Sequence, residues 1–366
     1  MQPFLPNFLP LKGLDLSSAL RLIVQANSAL ALFKGVLIGV PNPDVMLSPL
    51  AMQEAVLSSR IEGTQATVGD VFRYEAGEAP AQESRRNDVF EIINYRKALQ
   101  VARAELETRP FTLNLLKRLH EILLDSVRGR NKARGQFRTV QNWIGGTGTT
   151  MEQAQFVPPE PARVPELLGN WESYYHHDEV DALVQLAIVH AQFEIIHPFL
   201  DGNGRLGRIL VPLFLHEKGL LSSPVFYIST YLEEHRAAYI ESLRQLDNSP
   251  ESWIRWIEFF LGAIKVQAQR NTETAMAVMQ LYATLKERVI ECTRSQYAVP
   301  LLDQFFHRPV FTSTQIDLGP GGPTYARLSK MLLILREAGI LQVIREGSGR
   351  RPQILSLHEL VTMCEA

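Results

Sequence analysis

Residues 197–208 read His-Pro-Phe-Leu-Asp-Gly-Asn-Gly-Arg-Leu-Gly-Arg, a run whose residue types converge on one chemistry. Gly202 to Gly204 make a flexible turn at the start of a predicted helix, where free backbone N–H groups point at an anion. Arg205 and Arg208 are three apart, so both guanidiniums are expected on one helix face beside that turn. Asp201 offers a hard oxygen ligand suited to Mg²⁺. His197 is the nearby side chain able to take a proton at neutral pH. Polyphosphate, metal ion and base meet in one segment, which is the equipment for phosphoryl or nucleotidyl transfer.

A second informative segment is Ser58-Ser-Arg-Ile-Glu-Gly63. Ser58 and Glu62 are one turn apart and share a helix face. Taken alone, this is a surface carboxylate beside a helix-ending glycine. A third segment, Gln136-Phe-Arg-Thr-Val-Gln-Asn-Trp-Ile144, alternates and is rich in β-formers, which predicts a short strand or hairpin. His176-His177 has no carboxylate cluster with it and reads as a solvated turn. His190, seven residues before His197, reads as a packed or hydrogen-bonded core residue.

The elements that must position these groups are mostly helical. Apolar residues recur at three- and four-residue steps over 14–39, and Pro41 and Pro43 end that pattern. Ser48-Pro49 opens a helix through about Arg60, closed by Gly63. The stretch 75–84 reads as an exposed loop. Further helices are expected over 87–107, 112–127 with Thr112 as cap, 163–175, 181–196, 202–218, 231–246 and 251–294, the last divisible into two. Beyond Tyr297 the pattern gives short helices at 301–306, from 311, and at 324–338. Two strands, 339–345 and 351–357, then flank the Gly347-Ser-Gly turn.

The first segment matches at every specified position the signature His-x-Phe-x-(Asp/Glu)-Gly-Asn-Gly-Arg-x-x-Arg of the Fic family. With eight fixed positions, a chance match in a chain this long is on the order of one in ten million or rarer. The resemblance runs over about residues 45 to 262, through Phe156-Val-Pro-Pro and His190-Ala-Gln-Phe-Glu-Ile-Ile-His197. It implies a mainly α fold: a Fic-type helical core with a short β-hairpin flap, plus a C-terminal winged helix-turn-helix. The units expected are an N-terminal helical region 1–110 with an inhibitory helix at about 48–63, a catalytic core 111–262, a helical connector 263–297 and the winged helix 298–366.

The implied activity is protein adenylylation, AMP moving from ATP to a Tyr, Thr or Ser hydroxyl of a target protein, with pyrophosphate released. His197 is then the base and Asp201 the Mg²⁺ ligand. Gly202, Asn203, Gly204, Arg205, Gly207 and Arg208 hold the phosphates. Thr139, Val140 and Gln141 belong to a flap that holds the target by strand addition, against the alternative of a purely structural hairpin. Tyr239 resembles the tyrosine of the adenine pocket, with Tyr227 and Tyr231 competing and Ile240 replacing a common second tyrosine.

Ser58 and Glu62 match the family's inhibitory pattern (Ser/Thr)-x-x-x-Glu-(Gly/Asn), and Glu62 is expected to pair with Arg208. An arginine held by a carboxylate cannot also grip the γ-phosphate. On the winged helix, Tyr325, Arg327 and Lys330 would lie on the recognition helix and Arg345, Arg350 and Arg351 on the wing. DNA binding competes there with dimer or partner contacts. The alternatives to adenylyl transfer are a DNA-binding transcriptional regulator with an accessory core, and removal of AMP from a modified protein. Partners expected are ATP, an unidentified target, the protein itself, possible DNA and a possible homodimer.

Composition agrees with an enzyme of this kind and narrows little. The 366 residues carry a net charge of −2, 46% hydrophobic and 21% charged side chains, the profile of an ordinary globular protein without overall basicity. Cys292 and Cys364 are the only cysteines, which excludes a disulfide framework and fits a reducing, cytoplasmic compartment. The Pro-interrupted N-terminus is not expected to be a signal peptide, and no membrane span is expected.

Overall fold

A computed structural model describes residues 2–125, 132–145, 148–349 and 351–365. The end of the helix expected over 112–127, and Arg350, lie outside the described residues. In chain order the helices are α1 (Leu20–Gly39), α2 (Pro43–Met46), α3 (Ser48–Ile61), α4 (Val68–Glu75), α5 (Glu83–Leu106), α6 (Leu113–Leu123), α7 (Val164–Tyr175), α8 (Ala182–Ile196), α9 (Asn203–Glu217), α10 (Ser229–Glu234), α11 (Arg236–Arg244) and α12 (Pro250–Thr293). Then follow α13 (Ala298–His307), β1 (Val310–Thr312), α14 (Tyr325–Glu337), β2 (Gln342–Arg345), β3 (Ile354–Ser356) and α15 (His358–Glu365).

The core is organised around α8. Its sequence is apolar almost all round, as a helix buried on every face must be, and every residue from Leu183 to Ile196 is buried. Asp181 starts it, its Oδ1 accepting from the N–H groups of Leu183 and Val184 at 2.9 Å each. His197 ends it with φ 47° and ψ 59°, and the following proline cannot continue the helix. Around α8 pack α7, α9 and α12. The stretch 251–294 forms one helix rather than two; its 44 residues span about 66 Å at 1.5 Å per residue. Trp253, Trp256, Phe260 and Ile264 bury one stripe of it near α8, and Ala275, Val278, Leu285 and Val289 continue that stripe toward the C-terminal elements.

α1 corrects one sequence expectation. It has 20 residues, with an 18-residue stretch of mean hydropathy 1.6, long and apolar enough to cross a membrane by length and composition. In the fold it lies along α12 and buries Ala26, Ala29, Leu30, Phe33 and Leu37. α4 lies in residues to which the sequence pattern assigned no element, and only its last residue, Glu75, falls in the stretch read as loop. Thr67 and Asp70 form its capping box, with Thr67 N–H donating to Asp70 Oδ2 at 2.8 Å.

The C-terminal elements fold onto the same apolar cluster, which runs from Leu9 to Cys364. The three strands form an antiparallel sheet in the order β1-β3-β2, and an isolated bridge pairs Ser348 with Arg351 at the turn. Phe311 to Gln315, read as the start of a helix, is instead the end of β1 and a 3₁₀ turn. Of the basic residues expected to face DNA, Arg327 sits over the Tyr297 ring at 5.1 Å and Arg345 pairs with Glu78 at 3.7 Å. Lys330 and Arg351 are exposed beside these two engaged cations.

Trp256 is fully buried, donates from Nε1 to the Ala187 carbonyl at 2.8 Å and stacks on His190. Trp256→Ala is expected to cost about 3–5 kcal/mol. Thermal unfolding checks this, and an unchanged Tm would contradict the role given to the α8–α12 contact.

Candidate active site

The turn between α8 and α9 is held from outside by residues distant in sequence. Arg138 is buried; its Nε donates to the His197 carbonyl at 2.9 Å, and its Nη2 donates to the carbonyls of Pro159 at 2.5 Å and Ile196 at 3.2 Å. Its backbone N–H reaches the Pro198 carbonyl at 2.9 Å. Asn142 Nδ2 adds a bond to the Phe199 carbonyl at 3.0 Å. On the other side His120 stacks on Phe199 at 3.8 Å. His120 Nδ1 accepts from the Gly135 N–H at 2.8 Å, so its Nε2 donates to the Asp201 carbonyl at 3.0 Å. These contacts fix His197 in a left-handed conformation that a non-glycine residue adopts only under such constraint.

The His197 ring donates from Nδ1 to the Glu194 carbonyl at 3.2 Å, which leaves Nε2 with its lone pair free. Burial lowers its pKa to about 4, against smaller upward effects of the Glu194 carbonyl and Glu62. The imidazole is therefore neutral and able to accept a proton at pH 7.

Arg208 is 1% exposed, and its Nε and Nη2 are engaged. Nε donates to Ser58 Oγ at 2.8 Å, and Nη2 donates to the Ser58 carbonyl at 2.8 Å and to Glu62 Oε1 at 2.7 Å. Glu62 caps the C-terminus of α3. Burial pushes its carboxyl up, but the Arg208 charge and hydrogen bond outweigh it and hold the pKa below the usual range. The same carboxylate lies against Gly204, where Oε1 occupies the place of any β-carbon. Gly204 is in the first turn of α9, whose leading N–H groups have no carbonyl four residues back. Glu62 thus sits in the anion site of this helix start as well as on its arginine.

A cavity of about 210 Å³ opens here, with Glu62, Glu194, His197, Gly204 and Arg208 among its polar walls. Ile144, Phe156, Tyr239, Ile240 and Leu243 supply apolar walls. Tyr239, rather than Tyr227 or Tyr231, lines it. Tyr239 donates to His190 Nε2 at 2.9 Å, and His190 Nδ1 donates to the Gly207 carbonyl at 3.1 Å. Burial takes His190 down to about 3, so that it is a neutral linker between α9 and α11.

Several expected phosphate contacts take other roles. The Gly202 N–H donates to Asp201 Oδ1 at 2.7 Å. Asn203 closes on the loop, its Oδ1 accepting from the Phe199 N–H and its Nδ2 donating to the Phe199 carbonyl, both at 2.9 Å. Gly207 faces α8, where a β-carbon would collide with Glu194. Arg205 does not share the Arg208 face: Nη1 pairs with buried Glu91 at 3.0 Å and Nη2 approaches Asp201 at 3.5 Å. It orients Asp201 instead of lining the cavity. The residues that remain to bind an anion are Gly204, Arg208 and the backbone of the helix start.

Among the described residues no cluster of three His, Cys, Asp or Glu side chains could hold a metal. Asp201 keeps a carboxylate that is 43% exposed, and no described residue reaches its Oδ2. That set fits a Mg²⁺ ion bound mainly through phosphate oxygens and water.

The flap is less regular than a hairpin. Its pairing is one antiparallel bridge, Ile144 with Phe156, closed by the Ile144 N–H to the Phe156 carbonyl at 2.8 Å. Thr139 and Val140 are exposed, and Gln141 Nε2 donates to the Pro158 carbonyl at 2.9 Å. No described residue bonds the Thr139 or Val140 backbone, which leaves that edge able to take an added strand. Arg138, His120 and Glu194 were not singled out from the sequence. Their partners lie far off in the chain, so no local spacing marks them.

Comparison with known proteins agrees with this geometry. Residues 20–104 match the family described as Fic/DOC family N-terminal, and residues 110–215 match the Fic/DOC family. A probable protein adenylyltransferase of Aquifex aeolicus (strain VF5) is 29% identical over 235 residues, covering 62% of this chain and 64% of that protein. The protein adenylyltransferase fic-1 of Caenorhabditis briggsae is 25% identical over 231 residues, covering 57% of this chain and 41% of that protein. The chain therefore spans less than two thirds of the length of these relatives. Among solved structures, a Fic family protein from Desulfovibrio desulfuricans G20 has a TM-score of 0.58 at 20% identity over 97% of this chain and 98% of that chain. Fic-1 (residues 134–508) from C. elegans has a TM-score of 0.53 at 19% identity over 73% of this chain and 74% of that chain. At such identities the likeness is one of fold.

Three of the histidines should stay neutral well below the ordinary 6.5: His120 and His197 to about 4 and His190 to about 3, in each case because burial disfavours the charged ring. The unfolded chain takes these protons near 6.5 and the folded one does not, so stability falls as pH drops from about 6.5 toward 4. NMR titration of the imidazole signals reads this directly. A midpoint near 6.5 for His197 would overturn the buried, neutral base.

Proposed function

The chain belongs to the Fic/DOC family, and on that footing we propose that it is a protein adenylyltransferase that moves AMP from ATP to a Tyr, Thr or Ser hydroxyl and is held inactive by Glu62. The observation that carries this reading is the Glu62 carboxylate seated on Gly204 and on Arg208 at 2.7 Å. A carboxylate there occupies an anion site built from a helix start and a buried guanidinium, and it marks where the γ-phosphate belongs.

In the reaction the target hydroxyl gives its proton to His197 Nε2 and its oxygen attacks the α-phosphorus. The bond from that phosphorus to the bridging oxygen breaks, and pyrophosphate leaves. Asp201 would hold Mg²⁺, which neutralises charge on the phosphate oxygens when bound. Arg208 and the α9 N-terminus hold the β- and γ-phosphates, while Tyr239, Ile240 and Leu243 supply apolar surface for the base. The exposed edge at Thr139 and Val140 takes a strand of the target beside the cavity. Positioning and charge stabilisation do most of the work in such a step. The two cysteines are not joined in a disulfide, which favours a reducing compartment, and we place the enzyme in the cytoplasm.

Glu62→Gly should raise activity, whereas removing a carboxylate from an active site ordinarily lowers it. The pair is a charge-assisted hydrogen bond whose carboxylate is 38% exposed, worth about 1–3 kcal/mol, so a gain of at least about fivefold is expected. Automodification in Mg²⁺-ATP, read by intact mass, measures it. Adding Arg208→Ala should erase the gain, because both residues act on one phosphate. A Glu62→Gly protein no more active than the wild type would sink the inhibitory reading.

In the Glu62→Gly background, His197→Ala should cut transfer by roughly 10²–10⁴, the worth of a general base, with ATP affinity nearly unchanged. Labelled AMP reaching protein at an undiminished rate would remove His197 from the mechanism.

A further inference from the structure

We propose that Glu194 is a positioning residue for the transfer reaction: its carboxyl, seated over Gly207 in the wall of the cavity, governs how Arg208 is presented to the triphosphate. The proposal rests on the reading that ATP occupies this cavity. Glu194 is 9% exposed, lines the cavity and leaves Oε1 without a hydrogen-bond partner. A buried carboxyl with an idle oxygen is costly to the fold. The chain nevertheless makes room for it: Gly207 has no side chain where Glu194 Oε1 lies.

The charges around it define what it does. From α9 it faces Arg208, from the end of α3 Glu62, and from α11 Tyr239. Arg236 and Arg244 of α11 line the same cavity. From its own helix it meets His190 and His197, both neutral. Burial raises the carboxyl to about 8; Arg208 pulls it down and Glu62 pushes it further up. Below that pH Glu194 is protonated and leaves the guanidinium charge to the phosphates. Ionised, it adds a second carboxylate charge that acts on Arg208 and negative charge beside the triphosphate.

Replacing Glu62 removes one of the influences that raise Glu194, so in Glu62→Gly the titration has its midpoint at or below about 8. Bound triphosphate raises it again. The effect therefore falls on capture of ATP by the free enzyme more than on the bound complex.

The test compares Glu62→Gly with Glu62→Gly/Glu194→Gln, measuring kcat and KM for Mg²⁺-ATP from about pH 6.5 to about 9.5. In the first, KM should rise about tenfold with pH while kcat moves little; in the second, KM should stay flat. Parallel KM profiles in the two proteins overturn the role of Glu194 and leave adenylyl transfer standing. Should neither transfer AMP, it is the functional reading that fails, and calorimetric titration with Mg²⁺-ATP still decides on Glu194. A Kd for Glu62→Gly that does not change with pH overturns the proposal, whether or not Glu194→Gln folds.

Discussion

A guanidinium taken almost wholly out of water is the constraint from which this site is built. An arginine at 1% exposure must have its donors met, because an unpaired buried charge costs several kcal/mol. Ser58 meets two of them and Glu62 a third, which fixes α3 against α9. The same helix is pinned from a second side by Glu54. That carboxyl accepts from the Ser229 N–H and hydroxyl at 2.9 and 2.6 Å and from the Tyr95 hydroxyl at 3.2 Å. α3 is thus wedged among α5, α9 and α10, with α15 on its outer side. The position of one charge determines how the N-terminal region docks.

The reacting turn is placed by the opposite means, through many weak clamps from residues outside it. Arg138 alone bonds the carbonyls of Pro159, Ile196 and His197, and its own N–H bonds that of Pro198. Asn142 and His120 complete the shell. A histidine held in left-handed backbone cannot rely on local propensity, so the orientation of His197 is set by this shell. Rigidity there contrasts with the edge at Thr139 and Val140, whose backbone no described residue bonds.

How much of this could be read beforehand follows from the range of each interaction. The helix start at Gly202–Gly204 is a local pattern that marks an anion site, whereas the Ser58–Glu62 spacing alone reads as a surface carboxylate, and its pairing with Arg208 came only from the resemblance to the Fic family. The division of labour between the two arginines was not legible. Arg205 and Arg208 look alike in a three-residue spacing, yet Glu91, more than a hundred residues earlier, takes the first. Asn203, Gly202 and Gly207 likewise serve the loop or the α8 contact, a choice made by neighbours in space. Phe311 to Gln315 looks helical until β3 arrives beside it some forty residues later and supplies the strand partner. The 250–293 helix runs through what composition suggested as a break because its buried stripe continues unbroken.

The two residues that hold Arg208 do so with different strength, and under the proposed function that difference would make inhibition by Glu62 reversible. Ser58 is buried and bonds the guanidinium through both its hydroxyl and its carbonyl, neither of which carries charge that a phosphate must displace. Glu62 stands at the rim, 38% exposed, where solvent weakens the pair toward the surface value of about 1 kcal/mol and the charge-assisted bond sets an upper bound of about 3. Losing Glu62 therefore leaves Arg208 buried, bonded and aimed. A shift of about 1.4 kcal/mol changes the populations tenfold, so movement of one side chain is enough to open the anion site. α3 need not unfold or leave its groove. In the proposed mechanism the inhibited state would differ from the competent one by a carboxylate at the mouth of a cavity whose walls are already in place.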